Sequence, residues 1–337
     1  MNLLLIGGGR FVGHHLLEAA LAAGHAVTVF SRGQSRSAWP AGVEVRVGDR
    51  RSELSALRQG QWDAVLDCCA YLPGEVTQLA QALDGRAARY VLISSVSAYA
   101  SFAQPNDEDS PLGSLAADDP DLLSGTVNGR SYGPLKAMAE AAALQAWGAD
   151  ACLRIRPGLV IGPQDPTQRF TYWPVRLARA QAGEPVLAPG RPDTPVQWID
   201  ARDLAAFTLQ ALIDGRQGAV NVHTGGDELR LGTVLDEMAA ALQRQPRWVW
   251  VPDEALQAAG VTPWSELPLW LPAQGEYAHF MRNRNARARA WGLRTRPVAE
   301  TARDILAWWQ ALPAAQQVFD KAGLAPARER ELLAALT

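Results

Sequence analysis

Apolar positions in the first half of the chain fall into short unbroken runs separated by stretches with helical spacing. Asn2–Ile6 is such a run; it stops at glycines and predicts a buried strand. Phe11–Ala23 carries apolar residues at helical spacing and ends at Gly24, a helix-stop signal. Ala26–Phe30, Val43–Val47, Ala64–Cys68 and Tyr90–Ser94 predict the second to fifth strands, with a helix over Glu75–Leu83 between the last two. Leu135–Trp147 predicts an alanine-rich helix, and Ala151–Ile155 a sixth strand that ends at Arg156-Pro157-Gly158. This alternation predicts an α/β fold, a doubly wound parallel sheet with helices on both faces.

The remainder is rich in proline and tryptophan and broken into short segments. Asp203–Ile213 still reads as a helix and Ala219–His223 as a strand, so the sheet is expected to take back later chain. The boundaries predicted are a nucleotide-binding domain over 1–162, completed by about 196–225, and a smaller, mostly helical substrate lobe over 163–195 and 226–337. With 48% hydrophobic residues the chain can bury a substantial core, and a formal charge of −3 gives no global reason to expect nucleic acid or a membrane surface as partner. No apolar run approaches a membrane span. Three cysteines (Cys68, Cys69, Cys152) fit neither a disulfide framework nor a zinc site, and the five histidines show no metal-ligand spacing, so no metal is expected. His14 and His15, in the predicted first helix, read as packing or surface residues. The expectation is a cytoplasmic protein with reduced thiols acting on a small molecule.

A strand running into Gly7-Gly8-Gly9 and then a helix is the context that dinucleotide binding needs. Glycines let the backbone approach a pyrophosphate, and the helix start offers free N–H groups. The loop is Gly7, Gly8, Gly9, Arg10, Phe11, Val12, Gly13, with arginine at the middle of the three positions where glycine is usual. An NAD-preferring loop ends its second strand in an acidic residue. Here that strand ends in Ser31-Arg32, with Arg36 close behind. Arginine forks suit a 2′-phosphate, so NADP is expected, with NAD as the alternative. Asp49 and Arg50, after the third strand, are placed to reach the adenine. Cys69, Ala70 and Ser94, at the ends of the fourth and fifth strands, join the expected cofactor set.

Tyr132 and Lys136 stand at i and i+4, on one face at the start of a helix. An ammonium there stabilises a phenolate, and a serine from a neighbouring strand end can hold a substrate oxygen beside it. The chain has six tyrosines and, by inspection, lysine only at 136 and 321; the pairing is expected by chance roughly 0.04 times. The set predicted to act together is Tyr132, Lys136 and a serine of the Tyr90–Ala100 segment.

These segments, with SSVSAY at Ser94–Tyr99, RPGLVIGP at Arg156–Pro163 and WIDARDLA at Trp198–Ala205, resemble the extended short-chain dehydrogenase/reductase superfamily, the NAD-dependent epimerase/dehydratase group. The Arg10 form of the loop resembles an atypical branch that includes the chloroplast stem-loop-binding proteins. The resemblance implies a Rossmann-type fold, a nicotinamide cofactor, Ser95 as the catalytic serine, Tyr132 as acid/base with Lys136 as its partner, and Pro157–Leu159 near the nicotinamide. It also implies a possible homodimer. Three departures matter. Val96-Ser97 stand where dehydratases carry Asp-Glu. Val196 stands near the position where sugar-nucleotide enzymes bring an arginine to the diphosphate. The gap from Ser95 to Tyr132 is long, and its acidic insert, roughly 102–129, reads as a surface loop rather than a lid.

For the substrate, Ser97 offers a second contact. Arg169, Tyr172, Trp173 and Arg176 mix aromatic faces with cations, as suits a flat or carboxylated small molecule. The leading reading is an NAD(P)H-dependent oxidoreductase. The alternatives are an NAD(P)-dependent epimerase of a sugar or sugar nucleotide using the same hydride step transiently, and a cofactor-binding regulator or RNA-associated protein without turnover. The retained serine, tyrosine and lysine argue against the last, as does the absence of a basic surface.

Overall fold

A computed structural model describes residues 1–34, 36, 38–225 and 229–336. Strands β1 (Asn2–Ile6), β2 (Ala26–Ser31), β3 (Glu44–Val47), β4 (Trp62–Asp67), β5 (Ala87–Ile93) and β6 (Cys152–Pro157) follow one another in the chain. They are followed by β7 (Val160–Ile161), β8 (Pro185–Pro189), β9 (Ile199–Asp200), β10 (Gly218–Val222) and β11 (Arg247–Val251). Seven form one parallel sheet in the order β10-β6-β5-β4-β1-β2-β3. The later chain therefore does rejoin the sheet, at the edge beside β6.

The sheet strands sort their side chains by period two. On β1, Leu3 and Leu5 face one apolar layer, and Leu4 and Ile6 face the other. Helices α1 (Phe11–Ala22) and α6 (Ala201–Ile213) cover the first layer; α2 (Pro73–Leu83) and α4 (Tyr132–Trp147) cover the second. The short α3 (Pro120–Ser124) lies within the acidic insert.

Strand order reverses between β1 and β4: the chain runs outward from β1 through β2 and β3, then outward the other way from β4. At such a switch point the loops leaving the strand ends diverge and open a crevice, the usual ligand position in doubly wound sheets. Gly7 and Cys68-Cys69, which follow β1 and β4, meet there.

A separate apolar core joins residues between Leu159 and Trp198 to residues between Leu231 and Leu332. It is built from α5 (Tyr172–Arg179), α7 (Leu231–Ala241), α8 (Asp253–Ala258), α10 (Val298–Ala311), α11 (Pro326–Leu336) and the parallel pair β8–β11. The short α9 (Ala286–Ala290) packs beside the large sheet instead. Gly226 and Thr337, the ends of the predicted lobe segment, lie outside the described residues. No helix among the described residues is long and apolar enough to cross a membrane.

Candidate active site

The glycine loop has little room for side chains. A Cβ on Gly13 would sit 2.3 Å from the Gly7 carbonyl oxygen, and one on Gly7, whose φ is +92°, would sit 2.8 Å from Cys69 Sγ. Arg10 precedes α1 with an ordinary extended backbone, φ −142°, and makes no side-chain cap. Phe11, Val12 and Gly13 therefore begin the helix with N–H groups that have no intrahelical acceptor. The strained residue is Phe11, with φ +38°. This is the concave, donor-lined cradle that a pyrophosphate fits.

Around the loop the expected cofactor residues are placed as follows. Arg10 and Arg32 are exposed, with no ion-pair partner among the described residues, and Ser31 accepts a hydrogen bond from Gly33 N. Arg36 lies over the Trp39 ring, and its Nη1 is buried without a hydrogen-bond partner. Asp49 is turned into its own loop, accepting from Arg51 N. Arg50 has its donors committed within the protein: it forms a bidentate pair with buried Asp67, at 2.7 and 2.9 Å, and also donates to the Glu75 carbonyl. Burial opposes the charge on Asp67, but Arg50, Tyr90 and Cys69 N outweigh it and hold the carboxyl below its usual range. Arg50 thus braces β3 to β4.

Beyond the crevice a cavity of about 870 Å³ opens over the ends of β5 and β6. Ser94, Ser95, Ser97, Tyr132, Lys136, Pro157, Gly158, Leu159 and Arg169 all line it, as do Phe11 and Val12. Lys136 is buried, and its Nζ donates to the carbonyls of Ala70 and Ile93, both at 2.8 Å. Those bonds fix the ammonium beneath the site and give Ala70 its role. Ser95 Oγ accepts from Ser97 N, which leaves its hydroxyl hydrogen free to donate. Gly133 brings α4 in: a Cβ there would lie 2.1 Å from the Ser97 carbonyl oxygen. Only glycine after Tyr132 lets the helix start press against the serine loop.

The structure does not bring Tyr172, Trp173 and Arg176 to the cavity. Tyr172 and Trp173 are buried in the lobe core, where Trp173 Nε1 donates to the Pro268 carbonyl. Arg176 ties α5 to α11 through Glu329 and also pairs with Glu184. Apolar ring area won over ligand contact for the first two, and an ion pair for the third.

Other lining residues escaped the sequence reading. Tyr71 lies with its ring 4.8 Å from Lys136 Nζ and 6.3 Å from the Tyr132 ring, and burial pushes its hydroxyl up to about 12. Its signal was available, since it follows β4 at the end of the sheet where ligands bind. Trp264, Tyr277 and Phe280 form an aromatic wall on the lobe side, and no spacing rule marks them. The acidic insert contributes Phe102, Val127, Asn128 and Gly129 to the lining. It is pinned at several points, by Phe102 O accepting from His279 N, by Glu108 accepting from Asn221 N, and by Arg130 pairing with Asp119 and Asp121. Away from the cavity, His14, His15 and Glu18 gather with their ligand atoms within 4.8 Å, a grouping the spacing argument passed over.

Residues 3–223 match the model of the NAD dependent epimerase/dehydratase family. No curated protein sequence matches the chain. Among solved structures, the chain is similar to a nucleoside-diphosphate-sugar epimerase from Pseudomonas aeruginosa, with TM-score 0.64 and 19% identity over 92% of this chain and 97% of that one. It is similar to the Bordetella bronchiseptica enzyme WbmH in complex with NAD+, with TM-score 0.62 and 16% identity over 94% and 99%. It is also similar to human epimerase family protein SDR39U1 with NADPH, with TM-score 0.59 and 20% identity over 91% and 99%. At these identities the structures share the fold. The family match covers most of the chain: this protein belongs to the NAD dependent epimerase/dehydratase family, and is an NAD(P)-dependent enzyme.

Proposed function

We propose that this protein is an NADP(H)-preferring oxidoreductase that interconverts a small-molecule carbonyl and its alcohol, with Ser95, Tyr132 and Lys136 as its proton-handling set. The observation that carries the reading is the meeting of these three side chains on one cavity beside the glycine cradle. A bound nicotinamide cofactor supplies the hydride for reduction, or accepts it in oxidation. In the reducing direction Tyr132 Oη gives its proton to the carbonyl oxygen as the carbinol forms, and in oxidation it takes that proton back. Ser95 donates its free hydroxyl hydrogen to the same oxygen and holds it beside Tyr132. Lys136, anchored on two carbonyls, sets a fixed positive charge beneath the site.

NADP is preferred because β2 ends in Ser31 with Arg32 after it, not in a carboxylate, and because Arg10, Arg32 and Arg36 have guanidinium donors to spare. Val96-Ser97 after Ser95 argues for simple reduction over elimination.

The test is NADPH consumption across a panel of small carbonyl compounds, comparing the wild type with Tyr132→Phe. Turnover is expected to fall by about 10²–10⁴-fold in the variant while NADPH stabilises both proteins equally against heat. A variant that keeps its turnover, or a wild type that NADPH does not stabilise, overturns the reading.

A further inference from the structure

The cavity has two cationic side chains, Lys136 and Arg169. Lys136 is committed to the Ala70 and Ile93 carbonyls. Arg169 is not. Its guanidinium lies over the Trp264 ring at 5.4 Å, half-buried, with no side-chain hydrogen bond and no ion pair among the described residues. The neighbouring carboxylate, Asp165, is turned elsewhere: its oxygens accept from Thr167 N at 2.8 Å and Thr167 Oγ1 at 2.9 Å. Arg169 feels the Asp165 charge without pairing with it, and Tyr132 more weakly; Arg169 and Tyr132 line the same cavity.

A partly desolvated guanidinium with unused donors is costly unless an anion completes it. The wall beside it is aromatic: Phe280 packs against Phe102 at 4.8 Å and Trp264 at 5.4 Å. Such a wall favours a flat or branched apolar body. A nucleoside diphosphate is a poor match, because one uncommitted guanidinium leaves its second phosphate unanswered, and Val196 is fully buried in the lobe core.

Resting on the oxidoreductase reading above, we propose that the substrate is a small carboxylic acid bearing the carbonyl or hydroxyl to be converted, its carboxylate held by Arg169 and its apolar body seated against Trp264 and Phe280.

The test is titration calorimetry on the full-length protein saturated with NADP+, using 3-phenylpropionate, its neutral analogue 3-phenylpropionamide, and UDP-glucose. The carboxylate is expected to bind about tenfold or more tightly than the amide, as a charge-assisted bidentate contact gives. Arg169→Leu should erase that difference and Arg169→Lys should keep part of it, with NADP+ stabilising both variants as it does the wild type. Equal binding of acid and amide, no binding of the acid, an unchanged difference in Arg169→Leu, or displacement of the acid by UDP-glucose overturns the proposal. Failure of the oxidoreductase reading is separable, because it appears as absence of NADP(H) stabilisation in the wild type.

Discussion

On the sheet side of the cavity the ionisable groups are buried and answered. Arg50 has Asp67, Lys136 has two carbonyls, and Arg156 has Glu140, with Arg156 Nε and Nη2 within 2.9 Å of the carboxylate. On the lobe side Asp165 is buried with only amide and hydroxyl donors, and Arg169 feels its charge at a distance but makes no ion pair among the described residues. The first arrangement is fixed: Arg50 holds strand to strand, Arg156 holds helix to sheet, and Lys136 is locked in place beneath the site. The second leaves charge unspent beside an aromatic wall, which is where a ligand's own charge enters. The two sides should therefore respond with opposite sign when a charge is removed.

The largest effect is expected on the sheet side. Arg156, 2% exposed, also donates to Tyr99 Oη and the Glu108 carbonyl, so it joins α4, β6 and the acidic insert. Removing it leaves buried Glu140 without its hydrogen-bonded partner and with only the longer, 3.7 Å contact to Arg154 Nη1. Arg156→Met is expected to destabilise the fold by about 3–5 kcal/mol in urea unfolding, and a second change, Glu140→Leu, should restore part of the loss. A loss below about 1 kcal/mol would mean that water reaches the pair, and the contrast between the two sides would fail.

On the lobe side the sign reverses. Burial, set against hydrogen bonds from Thr167, raises the Asp165 carboxyl from 3.8 to about 6. The folded state thus holds a proton that the unfolded chain has released, and stability falls as pH rises from about 4 through about 6. Between those values the group costs about 3 kcal/mol at full effect. Asp165→Asn should flatten this slope and leave the variant more stable than the wild type at pH 7, since an amide oxygen still accepts from Thr167 N. Parallel pH–stability curves for the two proteins would show that the charge is solvated.

How far each side could be read from sequence follows the same division. The sheet, the glycine loop and the Ser95–Tyr132–Lys136 set depend on backbone geometry, and geometry leaves marks at fixed spacing. A strand stops at Gly7, helix α1 packs through Gly13, and helix α4 closes on the serine loop through Gly133. The lobe depends on which rings happen to fill a core. Tyr172 and Trp173 sit four or fewer positions from Arg169, yet they are buried while it lines the cavity. Trp264 and Phe280, far along the chain, form the wall instead. Nothing in their local pattern distinguishes a core ring from a lining ring, because both are apolar and both are packed. Arg50 failed for a related reason: its position after β3 fitted an adenine contact, but its partner Asp67 is distant in sequence.

The smallest effect concerns Arg10, at the edge of the cradle. An arginine there first reads as a lost glycine, but its φ of −142° is open to any residue, and the conformation that glycine favours is taken by Phe11 at φ +38°. Arg10 therefore costs the loop nothing in backbone strain, and its exposed guanidinium is free to pair with a phosphate. Arg10→Gly should weaken NADPH by about tenfold and NADH by less than about twofold, in line with loss of one charge-assisted contact. Equal weakening of both cofactors would assign Arg10 to shaping the loop. It would also take Arg10 out of the set of cations, with Arg32 and Arg36, that the sheet side keeps free for a ligand as the lobe keeps Arg169.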